Sequence, residues 1–324
     1  MEQKFKTAVI SYPNSNNLGD YIQKIAVKQF LNEKIIEIDR DNLKNYFGEK
    51  IKLIINGWFM EKPNNWPPSN KIIPFFISFH INPIIKPYIL NKNGIEYLKK
   101  HEPIGCRDLY TKLILEKKGI KAYFSGCLTL TLNRKKLKIK NNFKKGILVI
   151  NVIDRILPKF LFFKKPTIKN LFNDSIQLIK YPYKKIIYII SKRRINFFLE
   201  NQEKEIKYFS QIIDVNKISV LKREKLAYEQ LFAIANSELV LTSRIHSALP
   251  SVALGVPTIF ISDGLDHINQ KSRLFGLGKF FKIVNSKDLN KISNKNIKLN
   301  NHKTFVEKMK MKINNFINNK QQNC

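Results

Sequence analysis

Apolar positions fall along the chain in two alternating textures: short runs of about four to eight residues, and longer stretches repeating every three or four. The first reads as buried strand and the second as amphipathic helix. The clearest example is 237–262, SELVLTSRIHSALPSVALGVPTIFIS. Its 238–243 run is a strand. Ile245, Leu249, Val252 and Ala253 then share a helical face that Pro250 should kink. Gly255-Val-Pro257 is a stop, and 258–262 is the next strand.

The same texture predicts strands at 5–12, 34–38, 51–55, 74–80, 122–125, 128–132, 146–152 and 184–191. Helices are expected from Asp20 to about Phe30, from Asp108 to about Lys118, and over 196–213, 225–236 and 305–317. Asp20 and Asp108 are candidate N-caps. The last helix has one apolar face and could pack back across the chain. Strand and helix alternate on both sides of a poorly patterned basic segment, 134–145. An α/β protein follows, with mostly parallel sheets in two domains, 1–133 and 146–324, joined by a linker at 134–145. Ligands of such sheets sit beyond the carboxyl ends of the strands, here in the cleft between domains.

The formal charge of the 324-residue chain is +33, which raises nucleic acid and anionic membranes as partners. Lysine supplies 49 of its 58 basic residues and arginine nine. Asn and Ile are also abundant, so the excess reads first as a compositional drift spread over the surface. No DNA- or RNA-binding signature accompanies it, and no nucleic-acid partner is expected. The 155–194 stretch interleaves basic residues with Phe160, Phe162, Phe163, Tyr181 and Tyr183, a mixture that can rest on an anionic membrane face. A solvated Lys-rich surface is the simpler reading. No run has the form of a signal peptide or an uninterrupted membrane span. A cytoplasmic protein is expected, with room for contact at the inner membrane face. Cys106, Cys127 and Cys324 lack metal-ligand spacing and should be reduced thiols.

In a chain that prefers lysine, each arginine is informative. Arg107, Arg244 and Arg273 stand where a planar fork for carboxylate or phosphate matters more than charge alone. Arg244 and His246 occupy a strand-to-helix turn, where free N–H groups and the helix dipole favour an anion. Ser243 and Ser247 flank them. Arg107 repeats the arrangement before the Asp108 helix, although a structural pairing with a carboxylate explains it equally. Asn17 and Gly19 lie at the end of the first strand, and Gly19 allows close backbone approach to a ligand. Asp20 can cap its helix, line a site, or do both. His80 ends a strand and can face the cleft, although a lone His is more often a satisfied core or surface residue. Trp58 and Trp66 in a Pro-rich loop can stack on a sugar, but a plug against the core is the simpler reading. Arg273 follows the 263–267 loop, which should lie over the cleft; it could reach an acidic substrate there, and a surface role explains it equally. No GxGxxG fingerprint, P-loop, acidic triplet or Cys/His cluster is present. No dinucleotide, ATP or metal cofactor is therefore implied.

Thr242-Ser-Arg-Ile-His-Ser247 with Ala253-Leu-Gly-Val-Pro257, Asn17-Leu-Gly-Asp20 and Gly105-Cys-Arg-Asp108 resemble, in order, three landmarks of the polysaccharide pyruvyl transferase family. The resemblance implies two Rossmann-like domains in a GT-B-like arrangement. It also implies transfer of the pyruvate carbons of phosphoenolpyruvate onto two hydroxyls of one sugar, in a surface polysaccharide or its lipid-linked precursor. On that reading Arg244 holds a donor anion and His246 is the general acid. Arg107 and Arg273 are candidates for the second anion, and Asn17 and Asp20 for acceptor contacts. A glycosyltransferase of the same architecture, with a nucleotide-sugar diphosphate at Arg244, is the alternative. A non-catalytic basic protein on membrane or nucleic acid is a third reading, least suited to an Arg and a His at a strand end.

Overall fold

A computed structural model describes residues 5–31, 35–140, 144–158, 160, 166–292 and 302–318. Cys324, Phe162 and Phe163 lie outside these residues.

In chain order the elements are β1 (Thr7–Ser11), α1 (Leu18–Lys28), β2 (Ile36–Asp39), β3 (Ile51–Phe59), β4 (Ile72–Ile81), α2 (Lys86–Ile89), α3 (Lys92–Lys100), β5 (Ile104–Cys106), α4 (Leu109–Glu116) and β6 (Ala122–Phe124). The second half continues with β7 (Ile147–Ile150), α5 (Ile168–Glu200), β8 (Ile206–Phe209), α6 (Val220–Ala235), β9 (Leu239–Thr242), α7 (Ile245–Ala253), β10 (Thr258–Ile261), α8 (Ile268–Leu274), β11 (Lys282–Val284) and α9 (Lys303–Asn318).

β1–β6 form one sheet, ordered β2-β1-β3-β4-β5-β6, and β7–β11 form another, ordered β11-β10-β9-β7-β8. The strand pairings within both sheets are parallel. Counted from its own first strand, each sheet begins 2-1-3-4-5, the flavodoxin-like doubly wound order. The expected α/β class and its two Rossmann-like sheets are therefore present. In each sheet the order reverses beside the first strand, between β1 and β3 and between β7 and β9. Those two gaps open on the loops that carry Asn17 and Arg244.

The sheets share a core. Val9, Tyr21, Ile22 and Ile54 from the first half pack in one buried cluster with Leu148, Leu231, Val240 and Leu249 from the second. A backbone bridge reinforces it: Leu18 N–H donates to the Gln211 carbonyl (2.8 Å), and Ile213 N–H to the Asn16 carbonyl (2.9 Å). Lys24 and Lys28 on α1 both reach Glu224 on α6, at 2.6 and 2.5 Å. α9 does pack back across the chain. Its Val306, Met309 and Ile313 enter the shared core, while Phe316 stacks on Phe75 of β4 (4.9 Å).

Several sequence expectations are corrected. The 184–191 run is not a strand and 196–213 is not one helix: α5 runs through Glu200 and β8 follows. The KKIIYIIS segment is β-branched and apolar, a texture shared by strands and buried helices. Here Ile186, Ile189 and Ile190 sit on the outer side of a helix. The 128–132 run is likewise no strand. Leu128–Thr131 forms a 3-10 turn, closed by the Thr131 hydroxyl donating to the Leu128 carbonyl (2.7 Å), and its leucines fill the shared core. Asp20 does not cap α1. Asn17 does, its Oδ1 accepting from Gly19 N–H at 3.1 Å. Asp108 caps α4 as expected, accepting from Thr111 N–H at 2.8 Å.

β4 contains one extra residue relative to β3: Ile55 pairs with Phe76, and Gly57 with Phe79. Ser78 absorbs the bulge at φ 58°. The alternation shifts by one position there. Phe76 and Phe79, three residues apart, thus face the same core, and His80 is aimed away from it. Trp66 is a plug, buried against Phe59 (5.9 Å), Phe79 (5.9 Å) and Tyr97 (5.7 Å). Trp58 packs under the Arg40 guanidinium at 5.1 Å.

Candidate active site

Strand ends from both sheets converge on a cluster of buried cations. Arg107 follows β5, and its backbone N–H donates to the Phe79 carbonyl of β4 (2.9 Å). Leu109 N–H donates to the Phe275 carbonyl just after α8 (2.9 Å). That bond ties the start of α4 to the end of α8 and draws Arg107 towards Arg273. Arg244 is the N-cap position of α7, and its backbone N–H is held by the Thr242 hydroxyl at 3.0 Å. His246 sits at a non-helical kink in the first turn (φ −84°, ψ 17°).

The side chains at this cluster are starved of partners. Arg107 is fully buried, and all three of its guanidinium nitrogens lack a hydrogen-bond acceptor. Its nearest carboxylate oxygen, Asp108 Oδ2, lies 3.6 Å from Nε, so the structural pairing weighed from sequence is poor. Arg244 is paired with Asp154, but its Nε is buried and free. Arg273 Nε and His246 Nε2 are buried and free as well. A buried donor without an acceptor is costly, and several together are chemically suited to an anion.

The electrostatics agree. Burial first, then Arg107, Arg273, His80 and Arg155 hold the His246 imidazole well below its ordinary range. Burial and the neighbouring Arg107 bring the Arg273 guanidinium down to about 10. Burial, then Arg244 and Arg273, push Arg155 down to about 8. Guanidinium stays charged in proteins, so these depressions reflect the cost of burying the cluster first and the repulsion among its arginines second. An incoming anion relieves that repulsion.

His80 is oriented differently. Its Nδ1 lies 2.6 Å from Asp108 Oδ2 and 3.2 Å from the Thr111 hydroxyl, while Nε2 is buried and unpartnered. Burial, helped by Arg107, overrides Asp108 and lowers this imidazole to about 4. Burial works to raise the Asp108 carboxyl, but His80, Arg107 and the Thr111 amide outweigh it and hold it below its ordinary value. A neutral ring with Nδ1–H on the carboxylate presents a lone pair at Nε2, the form that accepts a proton from a hydroxyl.

Gly19 does permit a close approach, but to two side chains: its missing Cβ would lie 2.9 Å from His246 Cβ and 2.7 Å from Gln211 Nε2. Asn17 Oδ1 also accepts from Gln211 Nε2 at 2.7 Å. Asp20 accepts from Ser15 Oγ (2.6 Å) and Gln23 Nε2 (3.2 Å). Ser247 donates to Gln211 Oε1 (2.6 Å) and accepts from Gln230 Nε2 (3.0 Å). Ser243 donates to the Asn151 carbonyl (2.5 Å). Both hydroxyls thus hold the scaffold around Arg244 and His246.

Sequence reading missed Asp154 and Arg155, assigning Arg155 to a basic surface stretch. The signal existed: they follow β7 as Arg244 follows β9. It also missed Tyr12 Oη, Gln23 Oε1 and Asn56 Nδ2, all buried and unpartnered. Tyr12 ends β1, and Gln23 Oε1 lies where a Cβ on Gly57 would be, 2.7 Å away. Among the described residues no group of three or more His, Cys, Asp or Glu is placed to share a metal ion.

A family model described as polysaccharide pyruvyl transferase matches residues 17–264. A search of curated proteins gave no match. Among solved structures, the Klebsiella pneumoniae protein KP1_0663, titled as functionally uncharacterized, is 12% identical. It aligns over 87% of this chain and 94% of its own, with a TM-score of 0.49. The Methanocaldococcus jannaschii UDP-GlcNAc 2-epimerase, solved with UDP-GlcNAc and UDP, is 14% identical. It aligns over 95% of this chain and 99% of its own, with a TM-score of 0.43.

Proposed function

Because the chain belongs to the polysaccharide pyruvyl transferase family, we propose that it moves the pyruvate carbons of phosphoenolpyruvate onto two hydroxyls of one sugar. The product is a cyclic ketal, and inorganic phosphate leaves. The acceptor sugar belongs to a surface polysaccharide or its lipid-linked precursor. The observation that carries the reading is the set Arg107, Arg244 and Arg273, gathered from both halves with donor atoms that no protein group satisfies, beside Arg155, whose guanidinium bonds Gln270 Oε1.

Phosphoenolpyruvate carries a carboxylate and a phosphate, each suited to an arginine fork. Arg244 at the start of α7 binds one, and Arg107 with Arg273 binds the other. The reaction begins with proton transfer from His246 to the methylene carbon, leaving a cationic centre at the carbon bearing the phosphate. A sugar hydroxyl adds there and gives up its proton, with the free His80 Nε2 as acceptor. The C–O bond to phosphate then breaks and the second hydroxyl closes the ketal, its proton leaving with phosphate or solvent. One proton enters at carbon and one is returned by the first hydroxyl, so the sequence balances. Asn17 and Asp20, with Tyr12, Gln23 and Asn56, form the acceptor side.

His246 is neutral in the empty site and needs a proton before it can give one. The donor's own negative charge supplies the means, by cancelling the arginines that depress it. Purified protein given phosphoenolpyruvate and lipid-linked or nucleotide-linked sugars releases phosphate on this reading. Release from His246→Ala as fast as from the parent would overturn the acid assignment. Thermal shifts with phosphoenolpyruvate against a panel of nucleotide sugars separate this reading from a glycosyltransferase.

A further inference from the structure

Helix α5 is apolar on the side that faces away from the protein. Its inner side is conventional: Ile195, Phe198 and Leu199 are buried in the core on one face of the second sheet. The outer side should then be polar. Instead Ile168, Phe172, Ile179, Tyr183, Ile186 and Phe197 are all exposed, Ile168 at 88% and Ile179 at 80%. At 100° per residue these six fall within an arc of roughly 60°. They make one continuous stripe about 44 Å long at 1.5 Å per residue. Further exposed leucines and isoleucines widen it on one flank. Single exposed apolar residues are ordinary, but a contiguous stripe marks an interaction surface.

The charge around the stripe selects the partner. Lys185, Arg193 and Arg194 are exposed at its flanks. The acids of α5 before Glu200 reduce to Asp174, which is buried. Basic charge covers much of this protein and by itself singles out nothing. An apolar stripe bordered by basic residues has a defined complement, the boundary between headgroups and acyl chains of an anionic bilayer. Among the described residues no helix is long and apolar enough to cross a membrane, so α5 would lie in the surface. The helix also walls a cavity of about 690 Å³ with Tyr188, Ile195 and Leu199. Asn151 and Asp154, the latter paired with Arg244, line the same cavity.

We propose that α5 is an in-plane anchor that seats the protein on an anionic lipid surface, with the stripe from Ile168 to Phe197 in the acyl boundary and the arginine cluster beside it. The anchor stands on the outer face of α5 alone and does not depend on the donor chemistry. Full-length protein sedimented with phosphatidylcholine vesicles should bind about tenfold or more tightly when phosphatidylglycerol is included. Ile179→Glu with Ile186→Glu should abolish binding at every salt concentration, with circular dichroism and phosphate release on a soluble acceptor unchanged. Lys185→Glu with Arg194→Glu should remove only the preference for the anionic lipid. Three results would overturn the proposal: no vesicle binding by the parent, undiminished binding by the double isoleucine variant, or a parent dimer that this variant dissolves. The last would make the stripe a contact between copies. Phosphate release is read separately, so none of these outcomes decides the donor chemistry.

Discussion

Gly19 in α1 and His246 in α7, one from each half of the chain, meet so closely that a Cβ on the glycine would stand 2.9 Å from the histidine Cβ and 3.0 Å from its Nδ1. The contact closes one side of the arginine cluster and fixes the ring by steric fit. Gly19→Ala should therefore displace His246 or Gln211. The overpacking cost is expected at ~1–3 kcal/mol in thermal or denaturant unfolding, with phosphate release falling far more than donor affinity. An alanine variant with parental turnover would show that the ring is not held from this side.

Arg107 separates stability from function. It is a buried cation whose guanidinium nitrogens lack a hydrogen-bond acceptor and whose nearest carboxylate oxygen is 3.6 Å away, so Arg107→Met removes a desolvated charge at the cost of a weak attraction to Asp108 and should leave the empty protein about as stable. Donor binding should weaken at least tenfold in calorimetry, because a fork cannot be replaced by a thioether. Arg107→Lys should not restore it, since a point charge lacks the planar fork. Parental affinity in the lysine variant would reduce the role of Arg107 to charge alone.

Acid should unfold the protein early. An unfolded chain protonates His80 near its ordinary 6.5, and the folded protein only near 4. The unfolded state thus binds more protons in between, and stability falls as pH drops through that window. One such histidine contributes a loss of ~3 kcal/mol by the lower end. His246 is depressed in the same direction and adds to it. Asp108, held below its ordinary value by His80 and Arg107, extends the loss to lower pH. Unfolding free energies between pH 7 and 4 check this, and His80→Gln should flatten the curve.

Donor binding should take up a proton. The groups that depress His246, after burial, are mainly arginines, and a bound phosphate and carboxylate cancel them. Titration calorimetry with phosphoenolpyruvate in buffers of different ionisation enthalpy reads the uptake directly. Near neutral pH the expectation is between zero and one proton, lost in His246→Ala. Heats independent of buffer would leave His246 without a proton to donate.

Much of this was legible in the residues. Strand-to-helix turns at Asn17, Arg107 and Arg244 announce themselves by apolar runs that end in Gly, Asn or Arg before helical spacing begins. The rarity of arginine in a lysine-rich chain singles out three of the four clustered guanidiniums. The fourth, Arg155, was hidden because its strand is short and a basic, aromatic stretch follows, so charge looked like surface. The His80 dyad was invisible for a different reason. The bulge at Ser78 shifts the alternation of β4, and no local pattern shows that an extra residue turns His80 towards Asp108. α5 was misread because its outer face is as apolar as its inner one, which erases the helical period.

The shared core has a consequence for how substrates arrive. Val9, Ile54, Leu148, Val240 and the α9 residues Val306 and Ile313 pack as one body, so the two lobes cannot swing apart on a hinge without tearing it. Entry and exit are left to side-chain rotation and to the loops at the strand tips. Neither lobe is a self-sufficient fragment, since cutting the chain between β6 and β7 would strip the oily underside of both.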